Sequence, residues 1–401
     1  MTESSAIFLI VLVLGFILGW SGSKYFRRTR SKRKGGLDEL YNDYFVGLNY
    51  LLHDEPDEAI DTFIEALEVN GQTIETHLAL GTLLRRRGKV DKAIKVHQAL
   101  LARSGLTGDL ADSTRLELAR DYIAAGLLDR AERLAKELIK ENSDARPEAL
   151  FQLVTIYEFE KEWQLAIDTV QILLNLSRHK KDKNMRVIAA HYCCELAELE
   201  LKNGNYLAAR GYVKRAFQFD RTNARASFQL ADIERGEGNY AIAVKELERI
   251  ANHHPEYLSE IVKPLSICYE QGGDSLTLMN FSKFLSAQLD KNPRALILLQ
   301  LVELVRQDKG LPEAITTLAE GLNQHKTLQG AGSLLQFHSQ LHEGELQSHL
   351  RLVARTISEY LDNRPNYQCI QCGFKTRKLY WRCPSCQKWD TISPILGLVG
   401  E

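Results

Sequence analysis

The tripeptide Gly204-Asn205-Tyr206 returns 34 residues later as Gly238-Asn239-Tyr240. Ala197 and Ala231 precede the two copies at a common offset, and Ala209 and Ala243 follow them at another. Gly88-Lys89-Val90-Asp91-Lys92-Ala93 is echoed by Gly126-Leu127-Leu128-Asp129-Arg130-Ala131. A period of this length confines a chain to stacked copies of one unit, each too small to bury its own apolar face. A small residue recurs at Ala59, Ala93, Ala131, Ala166, Ala209, Ala243 and Ala314, and Thr277 is expected to fill the slot between the last two. Antiparallel helices approach closely only where side chains are small, so these positions read as the opening turns of second helices. Gly88, Gly126, Gly204, Gly238 and Gly272 fall where each first helix must end and turn. Tyr50, Phe63, Tyr122, Tyr157 and Phe281 are expected to fill the space between units. Only 26 Gly and 9 Pro occur in 401 residues, which argues against a many-turned β architecture.

Paired helices on this period resemble the tetratricopeptide family. The resemblance carries through Gly47, Gly81, Ala119, Ala197 and Ala231 in first helices and through the Ala series in second helices. It implies an all-α superhelical solenoid whose groove holds peptides or partner surfaces. Residues 37–362 accommodate about nine helix pairs. The match is poor near 258–290 and 331–361. Leu346, Leu350, Val353 and Ile357 lie at helical spacing in what reads as a capping pair. Arg85, Arg86, Arg87 and Arg120 sit on or near first helices and are candidates to read an acidic partner, although a solvated face is the commoner reason for such charges. Cys193, Cys194 and Cys268 lie within helical repeats and read as buried apolar residues.

Ser4 to Ser23 carries no charge, and Ala6 to Trp20 is almost continuous Ile, Leu, Val and Phe. Twenty helical residues rise about 30 Å, the thickness of a bilayer core. Lys24, Arg27, Arg28, Arg30, Lys32, Arg33 and Lys34 follow at once, whereas Glu3 is the sole charged side chain before the run. A secretory signal has its positive charge in front, so residues 1–23 read as a retained single-pass anchor. The positive-inside rule then places the N-terminus in the periplasm and the bulk of the chain in the cytoplasm, behind a basic linker over 24–36. Without that strip the balance is 44 basic against 52 acidic residues, so the basic charge suits membrane headgroups more than nucleic acid.

Residues 363–401 contain Cys369-x-x-Cys372 and Cys383-x-x-Cys386. Two such turns supply a tetrahedral four-sulfur site for one metal ion, zinc or iron. Gly373 lets the first turn bend, and Pro384 stiffens the second. A cytoplasmic location disfavours disulfides. So short a tail cannot build a core unaided, so the metal is expected to supply its folding energy. Lys375, Arg377, Lys378, Arg382 and Lys388 can offset the charge of the thiolates, and Tyr367, Phe374, Tyr380, Trp381 and Trp389 are expected to pack over the site or against the helices. The tail resembles rubredoxin and zinc-ribbon knuckles, but its two pairs lie closer than in rubredoxin and Gln387 replaces the usual second Gly.

No Walker loop, Gly-rich dinucleotide turn, Gly-x-Ser-x-Gly or His-Glu-x-x-His occurs, and no catalytic residue is expected. The adjacent pair His253-His254 is a weak metal candidate. Anchor, repeats and four-Cys tail together resemble the lipopolysaccharide assembly protein B family of Gram-negative bacteria. That resemblance implies an inner-membrane protein, not an enzyme, that limits lipopolysaccharide synthesis. It implies turnover of the deacetylase committing precursor to lipid A, by the membrane AAA+ zinc protease FtsH. The alternative is a general membrane-tethered scaffold or co-chaperone with another client. An electron carrier and a nucleic-acid-binding ribbon are weaker readings, and nucleic acid is not an expected partner. Self-association through terminal pairs is compatible with a repeat array.

Overall fold

The computed structural model describes residues 74–102, 106, 108–141, 144–272 and 277–397. The apolar run at Ala6 to Trp20, the basic linker and the first helix pair with Gly47, Tyr50, Ala59 and Phe63 lie outside them. Among the described residues no helix is long and apolar enough to cross a membrane. The chain divides into two compact units between Gln152 and Leu153.

Sixteen α-helices run in sequence among the described residues. They are α1 (Ile74–Arg86), α2 (Val90–Leu101), α3 (Asp109–Ala124), α4 (Leu128–Lys140), α5 (Arg146–Glu160), α6 (Trp163–Asn175), α7 (Lys183–Lys202) and α8 (Tyr206–Phe219). There follow α9 (Ala224–Gly236), α10 (Tyr240–His253), α11 (Leu258–Gln271), α12 (Leu278–Lys291), α13 (Ala295–Lys309), α14 (Leu311–Gln324), α15 (Leu328–His338) and α16 (Glu345–Asp362). A small antiparallel sheet closes the chain, with β1 (Tyr367–Cys369) between β2 (Lys375–Thr376) and β3 (Ile392–Pro394).

The helices pair as the period predicts, odd-numbered with the following even-numbered. Ala93, Ala131, Ala166, Ala209, Ala243 and Ala314 are all fully buried. Each stands four residues after the N-cap of its helix. Thr277 does not hold the equivalent slot. It is itself the N-cap of α12, accepting a hydrogen bond from the Asn280 N–H, and four residues later stands Phe281. A large aromatic therefore fills the small-residue slot, stacked on Tyr269 with ring centroids 4.8 Å apart. This accounts for the weak match near 258–290, where an aromatic pair replaces close helix approach.

Gly81 of α1 shows why first helices also need a small residue. A Cβ built there would lie 2.3 Å from Nε2 of His97 on α2. Gly81→Ala is expected to cost about 1–3 kcal/mol through overpacking, read as a lower urea midpoint with an unchanged slope. His97 is itself held, its Nδ1 2.5 Å from Asp121 Oδ2, while Asp121 Oδ1 accepts from Arg85 at 2.7 Å. Arg85 also donates to Glu117 at 2.7 Å, and Glu117 accepts from Arg120. Arg85 and Arg120 are thus engaged within the first unit, and neither is free to read a partner. Arg86 and Arg87 remain exposed.

The end of a first helix uses the left-handed region. Gly88, Gly126, Gly204 and Gly238 have φ between 73° and 80°. The third pair has Lys161 there, at φ 60°. Gly272 ends α11 in right-handed geometry instead. Lys161→Gly is expected to relieve a Cβ–carbonyl clash and raise stability by up to about 1 kcal/mol, read as a higher urea midpoint.

The last helix, α16, has no buried residue. Leu350 and Ile357 are partly covered, whereas Leu346 and Val353 are half exposed. Ile357 packs against Gly332 of α15. Cys193, Cys194 and Cys268 are fully buried. Burial pushes the Cys193 thiol up to about 12, leaving it an inert apolar group.

Candidate metal centre and its docking face

The two Cys-x-x-Cys turns have the same backbone. In the first, the Gly373 N–H donates to the Cys369 carbonyl at 2.9 Å and the Cys369 N–H to the Phe374 carbonyl at 2.8 Å. In the second, the Gln387 N–H donates to the Cys383 carbonyl at 2.9 Å and the Cys383 N–H to the Lys388 carbonyl at 2.9 Å. Both turns need a positive φ at their fifth residue, 77° at Gly373 and 59° at Gln387. Gln387 tolerates it while its side-chain amide donates to the Pro384 carbonyl at 2.7 Å. Pairing of β1 with β3 places Cys369 opposite Ile392 and brings the turns together.

The sulfurs of Cys369, Cys372, Cys383 and Cys386 all lie within 4.8 Å of one another. Sγ of Cys369 and of Cys386 are 3.7 Å apart, as are those of Cys372 and Cys383. A tetrahedron of metal–sulfur bonds of about 2.3 Å has edges of about 3.8 Å, so this donor set fits one metal ion in a four-sulfur site. Burial opposes ionisation at Cys369, but hydrogen bonds from Thr391 and from the Cys372 and Gln371 backbone outweigh it and bring the thiol down to about 6. Burial, with Cys386 and Cys369 as neighbours, pushes Cys383 up to about 11. A dication among the sulfurs would remove that opposition and let all four ionise. Cys369 and Cys383 are buried, Cys386 is intermediate and Cys372 is exposed. Among the described residues no other cluster of three or more His, Cys, Asp or Glu has this geometry. His254 does not join a metal site; its ring nitrogens face Glu256 and the Thr222 carbonyl.

The knuckle does not stand free. It lies against first helices of successive pairs, and one carboxylate is the hub. Glu158 of α5 accepts from Trp389 Nε1 at 3.0 Å and from Tyr192 of α7 at 2.6 Å, and it pairs with Arg382 at 2.8 Å. Burial and the facing carboxylate push the Tyr192 phenol well up, so it stays a donor. The Trp389 ring stacks on the fully buried His191 at 4.8 Å and 14°. Tyr192 meets the same ring edge-on at 6.0 Å. Arg225 of α9 and Arg382 lie over it at 5.9 and 5.7 Å, favourable cation–π distances. Arg225 is only 4% exposed and is held by Glu195 and Glu198, each at 2.8 Å. Asp390 Oδ2 is 2.8 Å from His191 Nε2, out of line for a hydrogen bond.

Trp381 fills a second pocket, 5.4 Å from Tyr257 and 5.9 Å from Phe228, and with Leu379 joins the apolar core of α9 to α13. Tyr367 donates to Glu260 of α11. Tyr367, Trp381 and Trp389 therefore do pack as the sequence suggests. Phe374 stays in the knuckle's own core and Tyr380 is exposed. Arg382 is turned toward Glu158 instead of offsetting the thiolates.

Glu158, His191, Tyr192, Arg225 and Glu260 carry no motif, and sequence reading passes over them. A signal was present all the same. Glu158 and Tyr192 are 34 residues apart, as are His191 and Arg225, and Glu260 follows 35 residues later. Polar or aromatic residues thus recur at one register of the first helices, on the face where the repeat period alone calls for nothing large.

A model of the rubredoxin metal binding domain matches residues 367–394. Tetratricopeptide repeat models match residues 76–110 and 194–256. The chain is 34% identical over 392 residues to lipopolysaccharide assembly protein B of Escherichia coli (strain K12), covering 98% of each. It is 31% identical over 399 residues to the protein of the same name from Haemophilus influenzae, covering 96% of this chain and 97% of that one. Among solved structures, the crystal structure of MamA protein has a TM-score of 0.33 at 20% identity, covering 47% of this chain and 96% of that one.

Proposed function

Because this chain belongs to the lipopolysaccharide assembly protein B family, we propose that it is an inner-membrane adaptor limiting lipid A synthesis. In this reading it brings the committed-step deacetylase to the protease FtsH for degradation. The near full-length match to curated relatives named for lipopolysaccharide assembly carries the reading. The residues support it. An adaptor needs binding surface and no active site. The helix pairs supply that surface, and the knuckle is fixed to it by buried polar contacts.

The apolar run from Ile7 to Trp20 is the tether, with the basic strip on the cytoplasmic side. A tether in the same membrane as protease and client raises their effective concentration. Cys369, Cys372, Cys383 and Cys386 hold one zinc or iron ion, whose part is to close the two turns into one folded unit. Arg86 and the neighbouring exposed Leu83 are the first unit's candidates for client contact.

The test is the deacetylase half-life after translation is blocked, in cells with and without the protein. A longer half-life on depletion, shortened again by the wild-type chain, supports the adaptor. An unchanged half-life overturns it and leaves a membrane-tethered scaffold with another client.

A further inference from the structure

A cleft of about 370 Å³ opens where α13, α15 and α16 meet the start of the knuckle. Its size is that of a small-ligand or short-peptide site. One wall is a stripe along α15, where Gln329, Ser333 and Gln336 follow at helical spacing. Arg364 and Arg377 line the cleft at its knuckle side.

Neither arginine has a carboxylate partner among the described residues. Arg364 lies 4.2 Å over the Tyr360 ring and donates to its hydroxyl. Arg377 reaches the Asn363 side chain at 3.5 Å. By contrast Arg210, Arg215, Arg225, Arg306 and Arg382 of the same unit are all ion-paired. A stacked guanidinium keeps its planar fork set for an incoming carboxylate.

The α15 stripe adds a second requirement. Gln side chains offer both an amide donor and a carbonyl acceptor, the same pair a peptide backbone presents. Seven helical residues rise about 10 Å, the length of three residues of extended chain. The geometry points to a site for an extended acidic peptide segment, its backbone along Gln329, Ser333 and Gln336 and its carboxylates on Arg364 and Arg377. This deepens the adaptor reading, since an adaptor must hold polypeptide, but peptide binding and deacetylase turnover are measured separately.

The probe is a fluorescein-labelled Gly-Ser-Leu-Glu-Glu peptide, titrated by anisotropy into the full chain in detergent micelles. Saturable binding is expected, weakened about tenfold or more by Arg364→Gln with Arg377→Gln and by added salt. Ser333→Leu, which fills the cleft without touching charge, is expected to weaken it as well. Metal content and helical signal of the variants are checked in parallel and are expected to match the wild type. A Gly-Ser-Leu-Gln-Gln amide peptide is expected not to bind. Equal binding of the two peptides, or binding indifferent to these substitutions, overturns the proposal. So does inorganic phosphate binding at the arginines with no saturable peptide binding. Loss of peptide binding with deacetylase turnover intact would remove this cleft and leave the adaptor standing.

Discussion

Cys383→Ser is expected to lower bound metal from one ion per chain to near none and to unfold the knuckle while the helix pairs persist. Cys383 is fully buried, and its carbonyl and N–H both close the second turn. The knuckle's own apolar core is small, with Tyr367, Cys369, Cys383 and Ile392 as its buried members. Two of those four are metal ligands. Apparent metal-binding free energies of such sites are about 10–16 kcal/mol, far above what so small a core supplies. Elemental analysis reads the metal, and hydrogen exchange reads the tail. Amides of β1 and β3 are expected to lose protection, whereas amides of α6 to α10 keep most of theirs. If β1 kept its protection in metal-free protein, packing against the helices alone would hold the tail, and the assigned part of the metal would be wrong. In cells the same variant is expected not to shorten the deacetylase half-life.

Glu158→Ala is expected to loosen the knuckle from the helices without loss of metal. The carboxylate is 16% exposed and serves Tyr192, Trp389 and Arg382 together. Removing one partner of a buried pair leaves the other uncompensated, at a cost of about 3–5 kcal/mol. Arg382 would still lie over Trp389 but with no carboxylate to face. The measurement is exchange of the Trp389 indole N–H, which is expected to speed by two orders of magnitude or more. A double-mutant cycle with Trp389→Phe, which keeps the stacking on His191 and removes the donor, is expected to show coupling of about 0.5–3 kcal/mol. Additive effects would show that Trp389 is held by its ring contacts alone. The two substitutions separate the roles of metal and dock: Cys383→Ser removes the folded unit, and Glu158→Ala leaves it folded but undocked.

The helix pairs were legible because their cause is local and periodic. Ala93, Ala131, Ala166, Ala209, Ala243 and Ala314 sit where two helices must approach, and no larger residue fits without a shift. The metal ligands were legible for a similar reason, since two sulfurs on one short turn define a point in space whatever surrounds it. Thr277 was misplaced because the slot it was given is defined by distance from an N-cap, and the cap there is Thr277 itself. Arg85 and Arg120 were candidates for a partner because sequence shows charge but not the acids facing it, here Glu117 and Asp121.

By itself the sequence determined the repeat, the small-residue seams, the left-handed turns at Gly88, Gly126, Gly204 and Gly238, and a four-sulfur knuckle. Each follows from residues within about one repeat of each other, where chain connectivity fixes the geometry. Only the tertiary structure decided where the knuckle lies and what holds it. Trp389 and Glu158 are 231 residues apart. Their meeting depends on the accumulated stacking of the intervening pairs, which brings Glu158, Tyr192 and Arg225 to one face. The same stacking sets Arg364 and Arg377 beside the α15 stripe. No local rule carries that information, because the rotation from one pair to the next is set by side-chain packing summed over the stack.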